Sequence, residues 1–361
     1  MLRTNENMKI GTSLIGVAVM IVTFSAPAVP AQVGEGMQIH GGEPLLPDPM
    51  EMKRVEAAVD KALVYLTTHQ RPDGSWPSGF GNNNGINSIC LLAFMGRGHL
   101  PGRGPFKHVV DRGVNFLMAS QDDSGLFRSP NPNGNGPMYE HGLSTLAMIE
   151  AYGYRPSTQV RSSAQRGVDL IVKAQHETGG WRYQPVPVDH DLSVTVMQIV
   201  ALRAAQNARL HVPETTTQKA LNYVKACVVP GGGFDYQPGK NAPEPARSAA
   251  GVLSMQLLGA FDDPAVEKGL NYLHSIKYQN GIGHFYYMNY YAMQAAFQAG
   301  GNHWERWHPK VRRFLLENQN EDGSWPGYGS AKHNGPARCY STGFSAICLE
   351  VYMHFLPAYQ R

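Results

Sequence analysis

Charge is scarce in this chain. Only 16% of its 361 residues are Asp, Glu, Lys or Arg, and the formal net charge is +3. A balance so close to neutral gives no basic footprint for nucleic acid. An apolar content of 42% excludes a disordered or highly solvated chain. Cysteine is scarcer still: Cys90, Cys227, Cys339 and Cys348 are too few to build a disulfide scaffold of this size. The apolar run at 14–24 falls well short of the roughly 20 residues that a spanning helix needs. Its flanks read instead as an export signal. Arg3 and Lys9 precede it, small residues suited to cleavage follow at Ala26, Ala28 and Ala31, and no Cys stands there for lipid anchoring. The chain therefore divides into a signal peptide (1–31), a flexible Gly- and Pro-rich lead-in (32–50) and one domain (51–361), exported after cleavage.

What the chain has in plenty is a repeat. A Gln is followed, across a Gly-containing turn, by an aromatic six positions later: Gln70 to Trp76, Gln175 to Trp181 and Gln319 to Trp325. Looser copies run from Gln121 to Phe127, Val228 to Phe234 and Gln279 to Phe285. A period of about 50 residues fits one helix pair per repeat, each pair burying its apolar face on its neighbours. Before the turns the apolar residues follow a helical stripe, as in Val55, Val59, Ala62, Leu63 and Leu66. After them come stretches apolar around most of their circumference: 87–95, 141–152, 192–205, 248–261, 286–299 and 340–355. Such helices belong inside, which predicts an inner ring enclosed by the amphipathic set.

The motif itself reads as architecture. Asp73-Gly74 and Asp322-Gly323 suit a tight turn, the Gln can bond backbone at a helix end, and the aromatic packs between repeats. In a closed ring, Cys90 and Cys348 lie in neighbouring helices. A disulfide between them is one expectation, and two buried free thiols the other.

These Gln…Gly-x-Trp repeats resemble the QW motifs of squalene and oxidosqualene cyclases and the related repeats of protein prenyltransferase β subunits. The resemblance covers most of the domain. It implies an all-α toroid of six inner and six outer helices, a small apolar or isoprenoid ligand, and no metal or cofactor. The prenyltransferase zinc set is absent: Ala337 stands two before Cys339, where the Asp of an Asp-x-Cys pair is needed, and no later repeat supplies the His. No Cys-Gly-Glu-Gln run exists for thioester chemistry. No feature specifies a protein partner.

In such a ring the inner helices run parallel, so six N-termini, with their unpaired N–H groups and positive dipole ends, collect at one mouth. The residues expected there are Tyr139, Glu140, His141, Asp189, His190, Asp191, Phe234, Tyr236, Arg247, Tyr287, Tyr290, Cys339 and Tyr340. The run Asp189-His190-Asp191-Leu192-Ser193 resembles the Asp-x-Asp-Asp-Thr of squalene–hopene cyclases, with Leu192 in place of the third acid and Ser193 in place of the Thr. That resemblance implies Asp191 as the acid that protonates an alkene, supported by Asp189 and His141, with the aromatics steadying a carbocation. The other reading of Asp191 is a helix N-cap, whose carboxylate the backbone holds ionised. Two alternatives to a cyclase stay open: a non-catalytic toroid binding lipid, glycan or peptide, and a carbohydrate-active barrel in which Glu140 and Asp191 act as paired acids.

Overall fold

The computed structural model describes residues 47–79, 83–129, 136–328 and 338–353. The expected signal peptide, and the lead-in as far as residue 46, lie outside these residues. Among the described residues there are twelve α-helices and a closing 3-10 turn, Val351–Met353. The helices are α1 (Pro49–His69), α2 (Asn84–Gly96), α3 (Lys107–Ala119), α4 (Met138–Tyr154), α5 (Thr158–Lys173), α6 (Leu192–Asn207), α7 (Glu214–Ala226), α8 (Pro245–Leu257), α9 (Pro264–Ser275), α10 (Phe285–Ala299), α11 (Gly301–Glu317) and α12 (Cys339–Glu350).

The even-numbered helices form the inner ring. Each packs on the next, and α12 packs on α2, so the ring closes. Every residue of α2 is buried, as a helix enclosed on all sides requires. Each odd-numbered helix lies outside, across two inner ones: α3 on α2 and α4, α5 on α4 and α6, and α1 on α12 and α2. The expected α/α toroid is the fold observed. Two inner helices end earlier than their apolar patterns suggest. Helix α8 stops at Leu257, because Gly259 at φ +84° turns the chain, and α12 tightens into the 3-10 turn after Glu350.

The repeat motif locks each helix pair to the next. In four repeats the Gln side-chain amide donates twice, once to its own turn and once to the following outer helix. Gln175 Nε2 reaches Gly179 O and Thr216 O, both at 2.9 Å, and Gln319 Nε2 reaches Gly323 O and, across the closure, Ala58 O. The turn glycine lies hard against the same outer helix: a Cβ on Gly179 would stand 2.0 Å from Lys219 O, and one on Gly323 2.4 Å from Lys61 O. Each of the motif's three Trp is fully buried and donates its indole N–H to the preceding outer helix, as Trp181 Nε1 does to Ile171 O.

All four cysteines are free and buried in this structure, and the expected Cys90–Cys348 pairing is not the one the fold brings together. The residue beside Cys90 is Cys339, whose carbonyl oxygen lies 3.7 Å from Cys90 Sγ. Cys348 sits more than two turns further along α12.

Candidate functional site

A cavity of about 410 Å³ opens where the inner helices begin, and all six contribute to its wall. This volume lies within the range of small-molecule sites. Its lining is largely aromatic and aliphatic: Tyr139, Tyr183, Tyr236, Tyr287, Tyr340 and Phe344, with Ile86, Ile89, Leu143 and Met197. Polar groups enter between them at the starts of five inner helices, from Asn83, Glu140, Ser193, Glu244, Arg247 and His284.

Asp191 is wholly buried immediately behind this wall. It caps α6, its Oδ1 accepting from Val194 N at 2.8 Å, while Oδ2 accepts from the Tyr236 hydroxyl at 3.0 Å and lies 3.4 Å from Arg182 Nε. Burial raises its pKa to about 6, against the lowering pull of Val194 N–H, the Tyr236 hydroxyl and Arg182. Because Tyr236 donates to Asp191, its own oxygen is left to accept, and the Tyr183 hydroxyl supplies that bond. Both tyrosines face the cavity, so Asp191 connects to it through a two-hydroxyl chain. Asp189 lies further out, half-exposed, and pairs with Arg182, whose guanidinium stacks on Tyr183 and Tyr236.

Glu140, by contrast, lines the cavity directly. It is 3% exposed and bridges to the neighbouring inner helix, accepting from Asn84 N at 2.9 Å, from Asn83 Nδ2 at 3.3 Å and from the Ser129 hydroxyl. Burial pushes its pKa up, and the Ser129 and Asn84 bonds oppose that shift. Arg247 spans the rim between Glu244, at 3.2 Å, and the Tyr236 ring.

Not every expected site residue reaches this cavity. His141 Nδ1 accepts from Phe127 N, so the proton is on Nε2, which donates to Gly167 O at 3.0 Å. Both ring nitrogens are thereby taken by backbone, and burial lowers the pKa to about 4. Asn87, Thr195, Ser248 and Thr342 occupy the same fourth position of their helices and accept the same bond from Trp76, Trp181, Phe234 and Trp325. His141 is thus one of five interchangeable braces. His190 turns outward to the Tyr223 hydroxyl at 3.1 Å. Phe234 packs on Gly251 and Gly269 in the core, Tyr290 lies behind Phe344, and Cys339 is buried at the α2–α12 seam.

Known proteins share this architecture. A drimenyl diphosphate synthase from Streptomyces showdoensis is 26% identical over 193 residues, which are 53% of this chain but only 34% of that relative. A type II terpene cyclase from Scytonema, solved with geranylgeranyl dihydroxybenzoate as its substrate, superposes with a TM-score of 0.56 at 12% identity, covering 86% of this chain and 99% of its own. The chain shares the α/α-toroid fold of that cyclase. An α-1,6-mannanase from Salegentibacter sp. HEL1_6, solved with α-1,6-mannotriose, also shares the fold, with a TM-score of 0.62 at 9% identity over 82% of this chain and 98% of its own. No family model matches the sequence.

Several wall residues of this toroid escaped the sequence reading although a signal for them was present. Positions two and six of four inner helices face the cavity: Gly85 and Ile89, Tyr139 and Leu143, Ser193 and Met197, Tyr340 and Phe344. An i, i+4 pair lies on one helix face, so the register that placed Tyr139 and Tyr340 also implies Leu143 and Phe344. Tyr183 and Arg182 carry no such signal, because they stand in the irregular loop after Trp181. Among the described residues no helix is long and apolar enough to cross a membrane.

Proposed function

We propose that this toroid binds a small isoprenoid-type ligand in the mouth cavity, on a scaffold in which Asp191 is the acid available for cyclisation. The observation that carries the reading is the wall itself: five tyrosines, one phenylalanine and four aliphatic side chains enclose a volume suited to a short prenyl chain, with a buried carboxyl of raised pKa behind them. The likeness to a terpene cyclase solved with a geranylgeranyl compound supports the ligand class. Alkene protonation moves the acid proton to a carbon atom, leaving a carboxylate and a carbocation, which the tyrosine π-faces can steady. A pKa near 6 leaves about a tenth of Asp191 protonated at pH 7. The Tyr236 hydroxyl covers Oδ2, so the ligand must displace that hydroxyl before the acid can reach an alkene. Binding is therefore the part of the proposal that the geometry supports best. Asp189 acts through Arg182, and His141 as a brace. Export belongs to the same proposal, resting on the basic, apolar and small-residue order of 1–31.

One observation favours a second reading, a carbohydrate site: Glu140, Glu244 and Arg247 line the cavity, and tyrosine faces also stack on sugar rings. The test presents purified protein with farnesol, geranylgeraniol and squalene, and separately with α-1,6-linked manno-oligosaccharides, measuring binding by calorimetry and products by mass spectrometry. Saturable binding of a prenyl compound is expected. Binding or cleavage of the oligosaccharide, with none of the prenyl series, favours the carbohydrate reading instead.

A further inference from the structure

Cys90 and Cys339 meet at the seam where α12, late in the chain, closes on α2, early in it. Both are wholly buried. Cys90 Sγ donates to the Cys339 carbonyl oxygen at 3.7 Å, which sets its thiol against the first turn of α12. Packed helices ordinarily keep their axes about 8–10 Å apart, which is wide for a disulfide with Cα atoms about 4.4–6.8 Å apart. Gly343, one turn after Cys339, removes that obstacle. A Cβ there would stand 2.7 Å from Ile89 Cγ2 and 3.4 Å from Cys90 N, so the α12 backbone rests directly on α2 beside Cys90. The other two cysteines have different surroundings: Cys227 caps the end of α7, and Cys348 lies deeper along α12.

We propose that Cys90 and Cys339 form a redox pair whose disulfide closes the toroid covalently. This goes beyond the ligand reading and rests only on the export proposed beside it. The oxidant is a disulfide donor of the glutathione or dithiol-oxidoreductase class, as an oxidising compartment supplies. One cysteine thiolate attacks the donor disulfide, forming a mixed disulfide and releasing a thiol. The second cysteine then displaces the remaining donor sulfur, so two protein thiols are oxidised as one donor disulfide is reduced to two thiols. Burial raises the Cys90 pKa well above the usual thiol range, which makes it a poor nucleophile in the finished ring. Exchange therefore takes place while the last helix is docking. The bond spans 249 residues of chain, and such a long loop strongly restricts the unfolded state.

The test unfolds full-length protein in denaturant with reductant, then refolds it by dilution into a buffer rich in oxidised glutathione. The product is denatured, alkylated without reduction, digested and mapped by mass spectrometry. The expected result is two alkylated thiols, Cys227 and Cys348, together with a peptide linking Cys90 to Cys339. Adding reductant should lower the thermal midpoint by several degrees in wild type and leave that of Cys339→Ser unchanged. Four alkylated thiols, or a linkage through Cys227 or Cys348, overturns the proposal. If Cys339→Ser does not fold, the wild-type peptide map decides alone.

Discussion

At Asp191 two environments compete. The Val194 N–H and the Tyr236 hydroxyl favour the carboxylate, complete burial favours the neutral acid, and burial wins, with a pKa of about 6. A folded-state value above the unfolded one, which is about 3.9, means stability that is complete at low pH and declines as pH rises through about 6. Asparagine keeps the capping oxygen and never ionises. Asp191→Asn should therefore melt close to wild type at pH 4 and higher than wild type at pH 8, by up to roughly 3 kcal/mol of stability. Thermal melts at both pH values check this, and an equal difference at the two would contradict the assignment. His141 carries the opposite sign. Its folded pKa of about 4 lies below the unfolded value near 6.5, so its contribution is complete above 6.5 and lost as pH falls towards 4. His141→Asn copies the brace already present at Asn87. That variant should lose less stability than wild type between pH 7 and pH 4.5, measured by the same melts, whereas a steeper loss would show that the histidine is not held neutral. The sequence alone could have separated the two residues' roles. His141 stands two positions after Tyr139, about 200° around the helix, and so faces away from the cavity that Tyr139 lines.

The elements were legible for the same reason that the motif is uninformative about chemistry. Gln, Gly and Trp recur because each turn must dock on the next outer helix, a demand that is the same in every repeat. Gly179 is the tightest of these docks, at φ +100° with Lys219 O only 2.0 Å from the place a Cβ would take. Gly179→Ala should destabilise the protein by well over about 1 kcal/mol, because both the backbone conformation and the space are refused. Gly153→Ala, in a helix with nothing within 4 Å, is the control expected to be neutral or slightly stabilising. Chemical denaturation of the pair checks the claim, and similar midpoints for both variants would contradict it. The cavity wall was half legible, since inner-helix positions follow the register. The Tyr183–Tyr236–Asp191 chain was not. Tyr183 and Tyr236 come from loops of different repeats, and only the folded ring brings their hydroxyls together.

At the scale of the whole molecule, closure is what makes a site. Residues from Asn83 to Phe344 meet around one opening because α12 returns to α2, and the first and last turns lock through Gln319 and Ala58. The seam was foreseen and its cysteine partner was not. Helical side chains lean towards the N-terminus, so Cys90 leans to the start of α12 at Cys339 and not to Cys348 deeper along that helix. The toroid shape also serves an α-1,6-mannanase and a terpene cyclase, so the fold leaves the ligand to the wall. The most direct measurement is calorimetric titration of farnesol and geranylgeraniol into wild type and Leu143→Trp, whose larger ring occupies the cavity while the braces and turns are untouched. The account predicts saturable binding to wild type, weakened at least about tenfold, or roughly 1.4 kcal/mol, in the variant. Equal binding to both proteins, or binding to neither, would contradict it.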